Sequence, residues 1–65
     1  MKVTYDKEVA ILSILFSENA IKESDEERSG VILDYDKDGI IVGIEILDAS
    51  KKINNPSNFE YEVAW

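Results

Sequence analysis

The N-terminal part of the chain alternates short apolar and polar segments, as a β-hairpin does. Residues 2–5 are rich in β-forming side chains, and the polar, turn-like residues 6–8 follow them. Residues 9–16 form an apolar run whose length favours a buried strand. The spacing of the apolar residues does not by itself exclude a short helix that begins at Glu8. If the two apolar segments pair, residues 2–16 form a hairpin.

The centre of the chain predicts a second hairpin with a defined turn. Residues 31–35 and 40–47 have the composition of strands, and the sequence Asp-Lys-Asp-Gly separates them. Aspartate accepts local main-chain hydrogen bonds in turns, and Gly39 can adopt the positive φ of a type I turn with a G1 bulge. Such a turn places Asp36 opposite Ile40 and Asp34 opposite Val42.

With that register, both faces of the central hairpin are substantially apolar. A sheet with one face in water would alternate more cleanly between apolar and polar residues. We therefore expect both faces to be covered, either by the rest of the chain or by a second subunit. One predicted face carries Ile32, Val42, Ile44 and Ile46, and the other carries Val31, Leu33, Tyr35, Ile41 and Leu47.

The remaining segments predict smaller elements around the two hairpins. Residues 20–23 fit a short edge strand, and the charged residues 24–28 fit a solvated loop. Asp48 predicts the N-cap of a helix over residues 49–54, which ends before Pro56. Residues 59–65 alternate apolar and acidic side chains, as a strand with one buried face does.

Together these segments predict a single α+β domain over residues 1–65. It has a small antiparallel sheet of about four to five strands, with one short C-terminal helix after the central hairpin. A domain of this size buries only about 60% of its unfolded surface. The chain has no Cys and no His, which excludes disulfides and the usual zinc ligands. Self-association, a cation held by oxygen ligands, or very good packing remains to stabilise it.

The net charge of the chain limits the classes of partner that we expect it to bind. Fourteen acidic residues outnumber seven basic ones, so the formal net charge is -7. This balance argues against nucleic-acid and anionic-membrane partners, and it suits cations or a basic protein. The longest apolar run is too short to span a bilayer, and the first residues lack a signal-peptide core. We therefore expect a cytoplasmic protein.

Residues 34–45 match the calcium-loop pattern D-x-D-x-D-G-x5-E at every required position. Asp34, Asp36 and Asp38 would supply side-chain oxygens, and Glu45 would be the bidentate ligand. Helices flank a true EF-hand loop, whereas strands are predicted on both sides of this one. Glu45 would then lie roughly 20 Å along the strand from the turn. A weak calcium or divalent-cation site formed by Asp34, Asp36 and Asp38 is the hypothesis that remains.

Candidate catalytic residues are poorly supported. The chain has no histidine to activate any of its serines. The carboxylate pairs Asp6 with Glu8 and Asp34 with Glu45 could do acid–base chemistry only within a cleft. In the predicted hairpin, Asp34 and Glu45 are separate strand residues. We expect no enzymatic activity, and no cofactor apart from the candidate calcium ion.

The order of these segments resembles a known family of short bacterial and archaeal proteins. Tyr5-Asp6 precedes an apolar strand, the segment 30–39 reads Gly-Val-Ile-Leu-Asp-Tyr-Asp-Lys-Asp-Gly, and 41–50 reads Ile-Val-Gly-Ile-Glu-Ile-Leu-Asp-Ala-Ser. These residues are similar to domain of unknown function family 2283, over about residues 2–50. The resemblance implies a small α+β fold dominated by an antiparallel sheet and followed by a helix. It implies no established reaction.

The function that we expect is non-enzymatic protein–protein interaction. The two apolar faces of the central hairpin predict a homodimer, formed through a sheet face or an edge strand with the apolar residues 59–65 involved. Genes for such proteins often lie beside genes for small toxin-like proteins, so the resemblance also suggests an antitoxin-like role with a basic partner. The alternative is weak binding of calcium or another divalent cation at the 34–39 turn.

Overall fold

The computed structural model describes residues 1–64 and shows one antiparallel sheet of five strands with one short helix. The strands lie in the order β1-β2-β5-β4-β3, so β5 is central and β1 and β3 are the edges. This arrangement confirms the expected small antiparallel sheet followed by a short helix. The elements are β1 Lys2–Asp6, β2 Ile11–Leu15, β3 Glu23–Arg28, β4 Val31–Tyr35, β5 Ile41–Ile46 and α1 Ala49–Lys52.

The N-terminal hairpin is confirmed, with a shorter second strand than predicted. β1 pairs with β2, and Tyr5 lies opposite Leu12. The predicted strand began at residue 9, but Ala10 has φ 56° and belongs to the turn. Its carbonyl oxygen accepts a hydrogen bond of 2.8 Å from the Ala49 amide. The turn therefore holds the first residue of the helix.

The helix is shorter than predicted, and Asp48 is its N-cap residue as predicted but lacks the expected side-chain cap. α1 ends at Lys52 rather than at residue 54, and Asp48 makes no side-chain capping hydrogen bond. Asp48 has φ 51°, a left-handed conformation that differs from the extended one typical of an N-cap residue. The Ala49 amide is bonded to the Ala10 carbonyl, and the Lys51 amide donates to the main-chain carbonyl of Asp48 at 2.9 Å instead of to its side chain.

The charged segment predicted as a solvated loop is the edge strand β3. All six residues Glu23–Arg28 are exposed, and the strand pairs only with β4. The predicted edge strand at residues 20–23 therefore begins three residues too early. Pairing with β4 outweighs the low intrinsic β-propensity of Asp and Glu. Charged side chains on an edge also discourage uncontrolled pairing with other chains.

The predicted turn of the central hairpin is confirmed, but the register beyond it is not. The Asp36 amide donates to the Ile40 carbonyl at 2.9 Å, and Gly39 has φ 75°. A bulge follows, so that Tyr35 pairs with Ile41 while Asp34 pairs with Gly43 instead of Val42. One extra residue in a strand moves every later side chain to the opposite face of the sheet, because side chains alternate with a period of two.

The bulge overturns the predicted composition of the two sheet faces. Ile44 and Ile46 lie beside Leu33 and Val31, not beside Ile32. One face is therefore strongly apolar, and the other combines apolar side chains with carboxylates and hydroxyls. On β1, β2, β4 and β5 the apolar face consists of Val3, Tyr5, Leu12, Ile14, Val31, Leu33, Tyr35, Ile41, Ile44 and Ile46, and Glu23 and Asp25 of β3 lie at its edge. The carboxylate face includes Thr4, Ile11, Ser13, Ser24, Ile32, Asp34, Gly43 and Glu45.

The predicted strand at residues 59–65 is wrong for the part that the structure describes. Residues 59–64 form no strand, and Phe59, Tyr61 and Val63 are exposed by 49%, 71% and 55%. Trp65 lies outside the described residues. Within residues 1–64, no helix has the length and apolar character needed to cross a membrane.

Candidate functional site

Asp36 organises the tip of the central hairpin. Its Oδ1 accepts hydrogen bonds from the Asp38 amide at 2.8 Å and the Ile40 amide at 3.0 Å. Its Oδ2 accepts a bond of 3.2 Å from Asn19 Nδ2, which ties the tip to the segment before β3. The side chain is 7% exposed. Asp36 therefore uses both oxygens within the protein.

These hydrogen bonds stabilise the charged form of Asp36. The Ile40 amide makes the largest contribution to holding the pKa of Asp36 below its ordinary value, and the Asp38 amide and Asn19 add to it. Partial burial opposes them. Because the pKa is lowered on folding, stability from Asp36 is present above the ordinary carboxyl pKa and is lost as the pH falls through the lowered value.

A cleft of about 540 Å³ lies beside this tip. It is lined by residues 19–22 on one side and residues 36–38 on the other. Lys22 and Lys37 contribute positive charge, while Asp36 and Asp38 contribute negative charge. The hydrogen bond from Asn19 to Asp36 joins the two sides of the cleft. This mixed lining selects neither cations nor anions by charge alone.

Asp34 is a buried carboxylate on the other side of the bulge. It is 2% exposed, and its Oδ1 accepts a hydrogen bond of 2.6 Å from Ser24 Oγ. Gly43 lies directly opposite it, and a Cβ at that position would come within 3.3 Å of Asp34 Oδ2. The absence of a side chain at position 43 therefore leaves room for the buried carboxylate.

Glu45 joins Asp34 across β4 and β5. It lies opposite Ile32 and therefore diagonally adjacent to Asp34 on the carboxylate face. Burial raises the pKa of Glu45 above its ordinary value, and a hydrogen bond with Asp34 and the charge of Asp34 raise it further. The two residues predicted to be separate are thus a carboxyl–carboxylate pair. The bulge produces this contact, because in the predicted register Glu45 would lie on the opposite face of the sheet from Asp34.

Replacing Glu45 by glutamine tests this pair through the pH dependence of stability. Because the pKa of Glu45 is raised on folding, its stabilising contribution is complete below the ordinary carboxyl pKa and is lost as the pH rises through the raised value. Glu45→Gln should therefore have a higher Tm than the unmodified protein at pH 8, and the difference should vanish in acid. Thermal unfolding from acidic to alkaline pH measures it.

Glu18→Gln is the matched control, because Glu18 is exposed in the segment between β2 and β3. It removes the same charge without touching Asp34. If both variants changed Tm equally at every pH, the raised pKa of Glu45 would have no structural basis.

The three aspartates of the candidate calcium site have different surroundings. Asp34 faces Ser24 and Glu45 on the sheet, Asp36 is bonded within the turn, and Asp38 is exposed at the tip. In the part of the chain that the structure describes, no three or more Asp or Glu side chains are grouped so that they could hold a metal ion. Calcium binding by Asp34, Asp36 and Asp38 stays a prediction.

The apolar face is the largest candidate site for a macromolecular partner. Leu12, at 7% exposure, is its only buried member, and the others remain partly or largely exposed. Ile41, at 42% exposure, is the most accessible of them. The single-turn helix is only about 6 Å long, so it is too short to cover a five-stranded sheet. This face offers apolar area without a charged residue on its three central strands.

Comparisons with known proteins agree with the sequence resemblance. The sequence profile of a family described as "Protein of unknown function (DUF2283)" matches residues 2–50. An uncharacterized protein of Methanocaldococcus jannaschii is 37% identical over 54 residues, which are 83% of this chain and 46% of that protein. The chain thus spans about half the length of the curated relative that it matches. No solved structure gives a significant match. The chain belongs to the DUF2283 family.

Proposed function

We propose that this protein is a non-enzymatic interaction module that works as a homodimer through its apolar face. The observation that carries the proposal is excess surface. A folded monomer of this mass should expose about 4,200 Å². The chain exposes 5233 Å². The excess of roughly 1,000 Å² comes from the exposed residues 57–64 as well as from the apolar face, and it is comparable to the ~800 Å² that each partner buries in a standard interface.

The shape of the molecule supports the same proposal. A compact domain of 65 residues should have a radius of gyration of about 10.7 Å. The value here is 12.5 Å, and the molecule measures 34 × 33 × 18 Å. Most stable domains bury a sheet face against a second layer. Among the described residues the single-turn helix is too short to cover the apolar face, and a second copy of the chain would supply that layer.

The distribution of charge favours face-to-face contact over pairing of β3 with its own copy. Four of the six β3 residues are acidic, so antiparallel pairing of two β3 strands would place like charges opposite each other. The central strands of the apolar face carry no charge. A net charge of -7 opposes association at long range, and apolar contact must outweigh it.

The test is a lysine substitution at Ile41, compared with one at its neighbour Ile40. Ile41 lies on the apolar face at 42% exposure, so a lysine there costs the monomer little but places a charge in the proposed interface. We expect Ile41→Lys to weaken dimerisation at least about tenfold, or ~1.4 kcal/mol. Sedimentation equilibrium measures the dissociation constant, and far-ultraviolet circular dichroism checks the fold.

Ile40→Lys makes the same chemical change at the hairpin tip, where Ile40 is 61% exposed. We expect this variant to dimerise as tightly as the unmodified protein. Equal dissociation constants for the two lysine variants would remove the apolar face from the interface. A lower constant for Ile41→Lys than for Ile40→Lys would contradict the proposal directly.

A further inference from the structure

We propose that residues 59–63 of one copy add to the outer edge of β1 in a second copy, as a sixth strand. This inference rests on the proposed homodimer and specifies what else the partner contributes to it. Phe59, Tyr61 and Val63 alternate with Glu60 and Glu62, which is the pattern of a strand with one buried face. In the structure this segment forms no strand and its apolar side chains are exposed.

The sheet has two edges that could accept a strand, and charge distinguishes them. β3 carries four acidic residues, which would lie beside the glutamates of the added segment. β1 carries one basic and one acidic residue, Lys2 and Asp6, at its two ends. β1 pairs only with β2, so its outer main-chain groups are available for a further strand. We therefore assign the segment to β1.

One antiparallel register matches the side chains of both strands. It places Phe59 opposite Tyr5 and Tyr61 opposite Val3, so that aromatic side chains extend the apolar face. On the other side, Glu62 lies opposite Lys2 and Glu60 lies opposite Thr4. In this register residues 59–62 lie opposite residues 5–2 of β1, and Val63 lies opposite Met1. The parallel register that keeps Glu60 opposite Thr4 would place Glu62 opposite Asp6, two like charges, and it loses the Phe59–Tyr5 pair.

The donor is a second copy because, in the described residues, the chain's own segment follows a turn and does not pair with β1. Asn55 has φ 52°, and the Asn58 amide donates to the Asn55 carbonyl at 3.0 Å, which forms a turn before the segment. After this turn Tyr61 remains 71% exposed. Main-chain pairing at an edge supplies affinity, and the alternating side chains supply specificity. Reciprocal exchange is consistent with a two-fold dimer.

Disulfide trapping tests the pairing, and the chain has no cysteine that would interfere. A chain with both Thr4→Cys and Glu60→Cys should form a covalent dimer under mild oxidation, seen on a non-reducing gel. The disulfide should form at least about tenfold faster than in a chain with Thr4→Cys and Glu62→Cys, because only opposed residues bring Cβ atoms to disulfide distance.

Three results would contradict the proposed exchange of residues 59–63 between two copies. A disulfide within a single chain would place the segment on its own β1. Faster trapping through Glu62→Cys would contradict the antiparallel register, and equal rates for both chains would show no register. Sedimentation of the reduced proteins shows whether the strand exchange alone fails or whether the proposed homodimer fails as well. Reduced dimers without specific trapping leave the apolar-face dimer intact, whereas reduced monomers refute both proposals.

Discussion

Val42→Ala is expected to destabilise the protein by about 2 to 3 kcal/mol, since it removes two buried carbon atoms and leaves a cavity. Val42 is 1% exposed and is the most buried large side chain among the described residues. It occupies the bulge in β5, between the hairpin tip and the central pairs of the sheet. In a domain of this size, the loss corresponds to a fall in Tm of roughly 10 to 20 °C.

Val9→Ala is the matched control, because Val9 is 57% exposed in the turn before β2. The same atoms are removed, yet we expect a change within about 0.5 kcal/mol. Urea unfolding at one fixed protein concentration compares the two variants, since the stability of a dimer depends on concentration. Equal losses would mean that Val42 is not a core residue and that the bulge is misplaced.

Gly30→Ala is expected to cost about 2 kcal/mol, from backbone strain and a displaced lysine together. Gly30 has φ 74° in the tight turn between β3 and β4. Its amide donates to Glu26 Oε2 at 2.7 Å, and its carbonyl accepts from the Leu47 amide at 2.8 Å. A Cβ added to Gly30 would overlap Lys52 Nζ. Lys52 would then lose its 2.8 Å hydrogen bond to the Leu47 carbonyl.

Gly39→Ala separates the two contributions. Gly39 has nearly the same φ, 75°, but a Cβ added there would have no neighbour within 4 Å. We expect this variant to lose about 1 kcal/mol, from backbone strain alone. Chemical unfolding of both variants gives the difference. If Gly39→Ala cost as much as Gly30→Ala, Lys52 would contribute nothing to the packing of the helix against the β3–β4 turn.

Features of the fold that depend on neighbouring residues could be predicted from the sequence. The turn at 36–39 follows from an aspartate that accepts main-chain hydrogen bonds and a glycine that adopts positive φ. Both act as expected, through the amides of Asp38 and Ile40 and the φ of Gly39. The strands on each side contain β-branched residues in runs of ordinary length, so the existence and order of the two hairpins was also predictable.

Features that depend on distant parts of the chain could not be predicted. The bulge at Val42 follows from how β5 fits between β2 and β4, yet it decides which side chains share a face. β3 has the composition of a loop, but it forms a strand because its main chain pairs with the outer edge of β4. Asp48 is the N-cap residue as predicted, but its side chain makes no capping bond, and the first helical amide is bonded to the Ala10 carbonyl of the N-terminal hairpin.

The candidate site shows the same division between local and distant causes. The aspartates of the turn were identified by their local pattern, and their hydrogen bonds within the turn account for Asp36. The Asp34–Glu45 pair is a consequence of the shifted register, which also places Gly43 beneath the buried carboxylate. The shift changes the basis of the homodimer as well. One apolar face with excess surface now supports it, instead of two apolar faces.

Self-association of the unmodified protein is the most direct test of the proposed dimer. Sedimentation equilibrium from about 1 µM to about 1 mM covers dissociation constants that correspond to binding free energies between about −8.2 and −4.1 kcal/mol. We expect a monomer–dimer equilibrium within this range, with a thermal transition that rises as the concentration increases. A monomer at every concentration, with a Tm independent of concentration, would contradict the homodimer and leave the apolar face without its proposed partner.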